Sequence, residues 1–135
     1  MRKYTRPVYN GCSLQDLKGL VFDKVYKREE NPAPEFSNEA IVFENKDEKF
    51  ILTHWQDCCE SVVIEEIHGD LEDLAGASIV QAEEEYKNGS QNGGDLTETW
   101  SFYKFATIKG YVTIRFYGTS NGYYSESAGL FKLVR

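Results

Sequence analysis

The sequence has few of the residues that mark specialised architectures. Its 135 residues contain three cysteines, three prolines and two histidines, and no apolar run approaches the roughly 20 residues of a membrane-spanning helix. An odd cysteine count, with Cys58 and Cys59 adjacent, argues against a disulfide framework. The basic N-terminus is not followed by an apolar stretch of signal-peptide length. We therefore expect a reduced, cytoplasmic protein that does not associate with membranes.

Positive charge is missing from the middle of the chain. Residues 57–85 carry ten acidic side chains and no lysine or arginine, whereas residues 100–135 carry five basic side chains and one acidic. The net charge of −7 argues against general nucleic-acid binding, because phosphate contacts need a clustered basic surface. Two partner classes stay open. A small anion could meet the basic C-terminal third, or a basic partner could meet the acidic segment as a mimic of nucleic acid.

The composition is sufficient for one globular core. Hydrophobic residues make up 41% of the chain and aromatic residues 14%, and the length is that of one ordinary domain. Two polar segments, residues 31–38 with two prolines and residues 87–96 rich in glycine and asparagine, are predicted to be mobile loops. Neither loop separates two halves with their own cores. We expect a single domain over residues 1–135, as a monomer or a homodimer.

Alternation of apolar and polar residues predicts a β-rich fold. Residues 13–18 are expected to form a turn or short helix, and residues 70–75 one short helix that Asp70 caps and Gly76 ends. The predicted class is α+β, predominantly β: a curled antiparallel sheet or a partly open barrel of about eight short strands with one short helix. The strands are predicted at residues 20–28, 39–44, 48–55, 61–67, 78–86, 97–106, 111–118 and 129–134.

The clearest hairpin turns at residues 107–110 and places its second strand with one face toward the core. On that strand Val112, Ile114 and Phe116 alternate with Tyr111, Thr113, Arg115 and Tyr117, which lie on the opposite face. The whole predicted core consists of Phe50, Leu52, Val62, Ile64, Leu71, Leu74, Phe102, Val112, Ile114 and Phe116.

Three short motifs carry a family resemblance. They are Cys-Cys-Glu-Ser at residues 58–61, Gly-Asp-Leu-Glu-Asp-Leu at 69–74 and Gly-Tyr-Tyr-Ser at 122–125. With the hairpin between the last two, they resemble a small family of unknown function that is met mostly in bacteriophages and in bacteria carrying prophages. The resemblance covers roughly residues 48–128 and leaves residues 1–38 as peculiar to this chain. It implies a phage-related accessory protein and assigns no catalytic residues.

The histidines and cysteines near the acidic segment are candidates for a metal or a nucleophile. Zinc ligands usually come in pairs two to four residues apart, and adjacent cysteines on an extended chain point to opposite faces, so we predict no metal and no cofactor. A Cys58 thiolate with His54 as its base, oriented by Asp57 or Glu60, would be disfavoured by the surrounding carboxylates. We predict no catalytic residues and keep a small Cys/His hydrolase as an alternative.

Arg115 is the most specific candidate for binding, since it is the one arginine between Arg28 and Arg135 and lies mid-strand among tyrosines. An Arg fork, tyrosine rings and hydroxyls suit a phosphate and a base, and they equally suit a protein interface. We therefore predict a non-catalytic, phage-type accessory protein that binds a host component or a small anionic ligand such as a nucleotide signal of host defence. The predicted ligand-binding residues are Tyr103, Tyr111, Arg115, Tyr117, Tyr123 and Ser125.

Overall fold

Two antiparallel sheets packed face to face make up the fold. The computed structural model describes residues 7–90, 97–121 and 124–134. Within those residues the strands are Tyr9–Gly11 (β1), Lys24–Arg28 (β2), Ala40–Glu44 (β3), Lys49–Thr53 (β4), Ser61–His68 (β5), Gln81–Ser90 (β6), Thr97–Thr107 (β7), Gly110–Ser120 (β8) and Gly129–Leu133 (β9). The first sheet has the order β1-β9-β4-β3-β2 and the second the order β5-β8-β7-β6.

The predicted β-rich class is confirmed, with three differences in detail. All eight predicted strands are present, and β1, three residues long, is one that the pattern did not predict. The predicted helix is a 3-10 turn, Leu71–Leu74, in which the Asp70 side chain accepts a hydrogen bond from the Glu72 backbone N–H. The described residues contain no α-helix and no closed barrel, because the chain divides between two sheets instead of curling one.

Most of the predicted core lies between the sheets, where aromatic rings from both meet edge to face. Phe43 of the first sheet and Phe105 of the second are 5.1 Å apart between ring centroids. Ile64 and Leu71 pack against this core while partly exposed. The predicted residues that are buried in it are Phe50, Leu52, Val62, Leu74, Val112, Ile114 and Phe116.

Phe102 is a wrong core prediction, and Tyr103 takes its place. In the register of the hairpin Phe102 lies opposite Arg115, whereas Tyr103 lies opposite Ile114 and is fully buried. Directly opposed residues share a face, so Phe102 points away from the core. The apolar residues of β7 occupy both alternating positions, and this is why periodicity could not decide the face.

The first sheet is covered on its outer side as well. Residues 31–38, one of the two predicted loops, run between β2 and β3 and form one bridge, from Phe36 to Trp55. Phe36 is 2% exposed and packs on Tyr9 and Phe131. This second apolar cluster explains why four consecutive residues of β3 are buried, with no alternation between polar and apolar.

The other predicted loop, residues 87–96, overlaps a strand, since residues 87–90 form the end of β6. Strand β6 extends to Ser90, with Lys87 paired to Trp100 and Ser90 to Thr97. Polar residues suit this end of the strand because the Thr99 hydroxyl donates to the Asn88 side chain at 2.9 Å. Residues 91–96 lie outside the described residues.

The segment that returns the chain from β8 to β9 lies directly on Gly118. A Cβ atom added at Gly118 would collide with the backbone of Glu126, and its closest contact would be the Glu126 carbonyl oxygen. Gly118 faces inward, opposite Val62, so its missing side chain makes room for residues 124–128 against the second sheet.

We predict that Gly118→Ala destabilises the protein by about 1–3 kcal/mol, because the added methyl group overpacks this contact. Urea denaturation of the two proteins measures the difference. Gly11→Ala is the matched control, since a Cβ there meets only Phe131 at 4.0 Å. Equal stabilities for the two variants would contradict the prediction.

Candidate functional site

The outer face of the second sheet is the surface that carries three of the six predicted binding residues. It comprises the side chains of β5–β8 that point away from the core, as the strand register defines them. They include Val63, Glu66, His68, Glu83, Glu85, Trp100, Phe102, Lys104, Tyr111, Thr113, Arg115 and Tyr117.

Arg115 lies between two carboxylates at the centre of this face. A β-bulge interrupts the pairing of β5 with β8 between Ile64 and Glu66, and it brings Glu65 and Glu66 to the same side. Arg115 Nε is 2.7 Å from a Glu65 carboxylate oxygen and Arg115 Nη2 is 2.9 Å from one of Glu66. The Nε contact is an ion pair without an aligned hydrogen bond. The guanidinium charge is therefore matched within the protein itself.

Aromatic rings surround this ion-pair cluster. The rings of Trp100 and Tyr117 lie 5.2 Å apart, and the Tyr117 hydroxyl donates to Glu98 at 2.6 Å. Tyr111 is 68% exposed and Val63 42% exposed. A cavity of about 300 Å³ next to Arg115 is lined by Glu66, His68, Phe102, Thr113 and Arg115.

The structure brings together three of the six predicted ligand residues. Tyr111, Arg115 and Tyr117 share the outer face, as predicted. Tyr103 was wrongly placed there: it is buried in the core, its hydroxyl is 3.4 Å from that of Tyr86, and burial raises its pKa far above the ordinary value. Tyr123 lies outside the described residues.

Ser125 belongs to the other side of the second sheet. With Glu126 and Ser127 it lines a cavity of about 320 Å³ beside Asn88 and Thr99, which are on the inward side of β6 and β7. Its hydroxyl is 3.1 Å from that of Ser127. Ser125 and Arg115 therefore cannot share one ligand site. The residues that sequence reasoning missed on the outer face are Val63, Trp100 and Phe102, whose apolar character resembled core.

A second cluster of functional residues is buried at the end of the sandwich. His54 is 1% exposed and Glu60 5% exposed. His54 Nε2 is 2.8 Å from a Glu60 carboxylate oxygen, and His54 Nδ1 is 2.7 Å from the Ser127 carbonyl oxygen. Glu60 also accepts hydrogen bonds from the backbone N–H groups of Asp57 and Cys58. Each nitrogen of the ring faces an oxygen, and both can donate only when the imidazole is protonated.

The carboxyl of Glu60 is held as the anion. Burial by itself raises the pKa of this group, but the hydrogen bonds from the Asp57 N–H, His54 and the Cys58 N–H outweigh burial and lower the pKa from 4.5 to about 2. Glu60 is therefore a buried carboxylate whose charge is compensated by hydrogen bonds from His54 and two backbone N–H groups. Because both nitrogens of His54 are occupied, the ring has no free lone pair with which to activate Cys58.

The described residues contain no cluster of potential metal ligands. Within residues 7–90, 97–121 and 124–134, no three His, Cys, Asp or Glu side chains form a group that could hold a metal ion. The absence of a metal stays a prediction. In the same part of the chain, no helix has the length and apolar character to cross a membrane.

These features define an antiparallel β-sandwich whose second sheet presents an aromatic face that no described residue covers. The chain belongs to the family described as "Domain of unknown function (DUF7448)", which matches residues 18–130. Residues 18–38 are thus part of the family match, which corrects the expectation that residues 1–38 are peculiar to this chain. No curated protein and no solved structure matches the chain.

We predict that Glu60→Gln removes stability that the wild type has at neutral pH. The folded-state pKa of Glu60 lies below its ordinary value of 4.5, so the stabilisation is complete above pH 4.5 and is lost as the pH falls through about 2. Its size is on the order of 3 kcal/mol. Urea denaturation of both proteins from pH 7 to pH 2 measures it.

The difference between the two proteins should shrink as the pH approaches 2, because the wild-type carboxyl is then protonated. Glu83→Gln is the control, since Glu83 is an exposed carboxylate on β6. A difference that does not vary with pH would show that the pKa of Glu60 is the same in the folded and the unfolded protein.

Proposed function

We propose that this protein is a non-catalytic accessory protein that binds a host protein through the outer face of its second sheet. The observation that carries the proposal is the row of side chains centred on Arg115, Tyr117 and Trp100, which no described residue covers. Tyrosine, tryptophan and arginine are the residues that most often dominate the energy of protein interfaces.

The charges on this face favour a protein over a small anion. A phosphate that approached Arg115 would meet the carboxylates of Glu65 and Glu66, which already pair with the guanidinium. The anion would have to displace one of them and would be repelled by the other. A protein partner can instead add contacts to the aromatic rings and leave these ion pairs in place.

Carboxylates also outnumber cations around the face. Four carboxylates, those of Glu65, Glu66, Glu83 and Glu85, lie on or beside it, against three cations, Lys87, Lys104 and Arg115. A partner with an apolar centre and a basic rim fits this pattern. Such a rim would make the association rate depend on salt concentration.

The acidic segment of residues 57–85 supports the alternative of a nucleic-acid mimic less well. Its carboxylates do not form one surface: Glu60 is buried, and Asp70 caps the 3-10 turn. Glu65 and Glu66 are paired with Arg115. The remaining charge is too divided to imitate the regular spacing of phosphates.

We propose that the protein is encoded by a phage or prophage and acts in the bacterial cytoplasm. The resemblance of the Cys-Cys-Glu-Ser and Gly-Tyr-Tyr-Ser motifs supports the phage origin. The three unpaired thiols, Cys12, Cys58 and Cys59, are in keeping with a reducing compartment. A hydrolase using His54 and Cys58 is disfavoured because both nitrogens of His54 are engaged.

We predict that Arg115→Ala and Tyr111→Ala each weaken binding of the partner by about tenfold or more, as expected for arginine and tyrosine residues that anchor an interface. Folding should be nearly unaffected, because Tyr111 is 68% exposed and the partly exposed ion pairs of Arg115 contribute about 1 kcal/mol or less each. Affinity capture from host extract, identification of the bound protein and titration against each variant measure the effect.

Val8→Ala is the matched control, since Val8 is an apolar residue, 56% exposed, that precedes β1 of the first sheet. If the two outer-face variants bind as tightly as Val8→Ala, this face is not the interface. Thermal shift with nucleotides and cyclic dinucleotides tests the other ligand class. A rise in melting temperature for the wild type that Arg115→Ala loses would replace the protein partner by an anion.

A further inference from the structure

Cys58 and Cys59 form an exposed pair of thiols whose sulfur atoms are 2.8 Å apart. Adjacent residues of an extended strand would point to opposite faces, and the sequence predicted this separation. The structure places both residues instead in a bend between β4 and β5. Both side chains therefore turn to solvent on the same side.

The bend is set by the carboxylate of Glu60. One of its oxygens accepts from the Asp57 N–H at 2.8 Å and the other from the Cys58 N–H at 2.9 Å. Because Glu60 is itself buried and bonded to His54, the bend is anchored to the core. The closeness of the two sulfurs is thus imposed by the fold and does not depend on a flexible chain.

We propose that Cys58 and Cys59 are a reversible oxidation site, which closes to a disulfide between adjacent residues on reaction with a peroxide. The site is distinct from the outer face of the second sheet and does not depend on the partner proposed for it.

The reaction is balanced with hydrogen peroxide as the oxidant. One thiol gives up its proton, its thiolate attacks a peroxide oxygen and the O–O bond breaks. A sulfenic acid forms, and the departing hydroxide takes up the released proton to give one water. The second thiol likewise gives up its proton, and its thiolate attacks the sulfenic sulfur to form the S–S bond. The hydroxide that leaves takes up this proton as a second water. Two electrons pass from the two sulfurs to the peroxide.

The disulfide would be easy to reduce again. Neighbouring Cα atoms are about 3.8 Å apart, which is less than the separation found in most disulfides. A disulfide whose Cα atoms are closer than usual is strained. Strained or exposed disulfides have the more oxidising reduction potentials that suit regulation. A thiol reductant of the cytoplasm is therefore sufficient to reopen it.

The reaction should be faster at alkaline pH. Contact with the Cys58 sulfur is the main cause that raises the pKa of the Cys59 thiol, and the charge of Glu60 acts in the same direction. Because the thiolate is the reacting species, a smaller fraction of Cys59 can react at neutral pH than of a cysteine with an ordinary pKa. Cys12 is protected: burial, with the Asp16 charge, raises its pKa to about 11, and its sulfur donates to the Leu130 carbonyl.

The full chain treated with a small excess of hydrogen peroxide tests the proposal. Unfolding in the presence of iodoacetamide, followed by intact and peptide mass analysis, counts the remaining thiols. We expect three alkylated cysteines before treatment and one, Cys12, afterwards, with all three restored by dithiothreitol. Faster loss at alkaline pH is expected as well.

Cys58→Ser and Cys59→Ser are the matched variants, and each should lose the reversible reaction within one chain. Phenylarsine oxide supplies an independent probe, because its arsenic binds two neighbouring thiols with loss of one water. One equivalent should bind the reduced wild type and neither variant. Retention of all three thiols, a disulfide between chains, or direct conversion to sulfinic acid would overturn the proposal.

Discussion

The buried pair of His54 and Glu60 is the interaction on which the arrangement of the two sheets depends. The described chain passes between the sheets twice, after β4 through residues 54–60 and before β9 through residues 124–128. His54 bonds to both passages at once, through Glu60 on one and the Ser127 carbonyl on the other. Breaking a buried pair by removing one partner costs about 3–5 kcal/mol, since it leaves a charge in the core without compensation. A single imidazole therefore links the two chain segments that join the second sheet to the first.

The same pair determines what is available at the surface. The backbone N–H groups that hold Glu60 as an anion belong to the bend that presents Cys58 and Cys59, so the dithiol is a direct consequence of how the carboxylate is satisfied. Elsewhere the two sheets differ in how they are covered. The loop carrying Phe36 closes over the outer side of the first sheet, whereas no described segment covers the outer face of the second. That asymmetry is the reason for assigning binding to the second sheet.

Several elements could be predicted from the sequence because local chemistry decides them. The strand at residues 111–118 alternates without exception, and its inner and outer faces are those that the pattern predicts. Asp70 caps the turn at Leu71–Leu74, and Gly76 follows it with a positive φ of 78°. The prediction was wrong for β7, where Phe102 and Tyr103 are both aromatic and either could face the core. It was wrong also in extending the loop into residues 87–90, whose polar side chains bond to the neighbouring strand.

The sequence by itself determined the β-rich class, most of the strands and the identity of Arg115 as a central outward residue. These properties depend on periodicity and turn chemistry within a few residues of the chain. Only the tertiary structure decided that Arg115 is neutralised by Glu65 and Glu66, that Ser125 lies across the sheet from it, and that His54 is an internal tie instead of a base. Each of these depends on strand register, on a bulge or on contacts between distant segments, such as that joining His54 to Ser127. Contacts of that kind leave no local pattern, because packing selects their partners only once both sheets have formed.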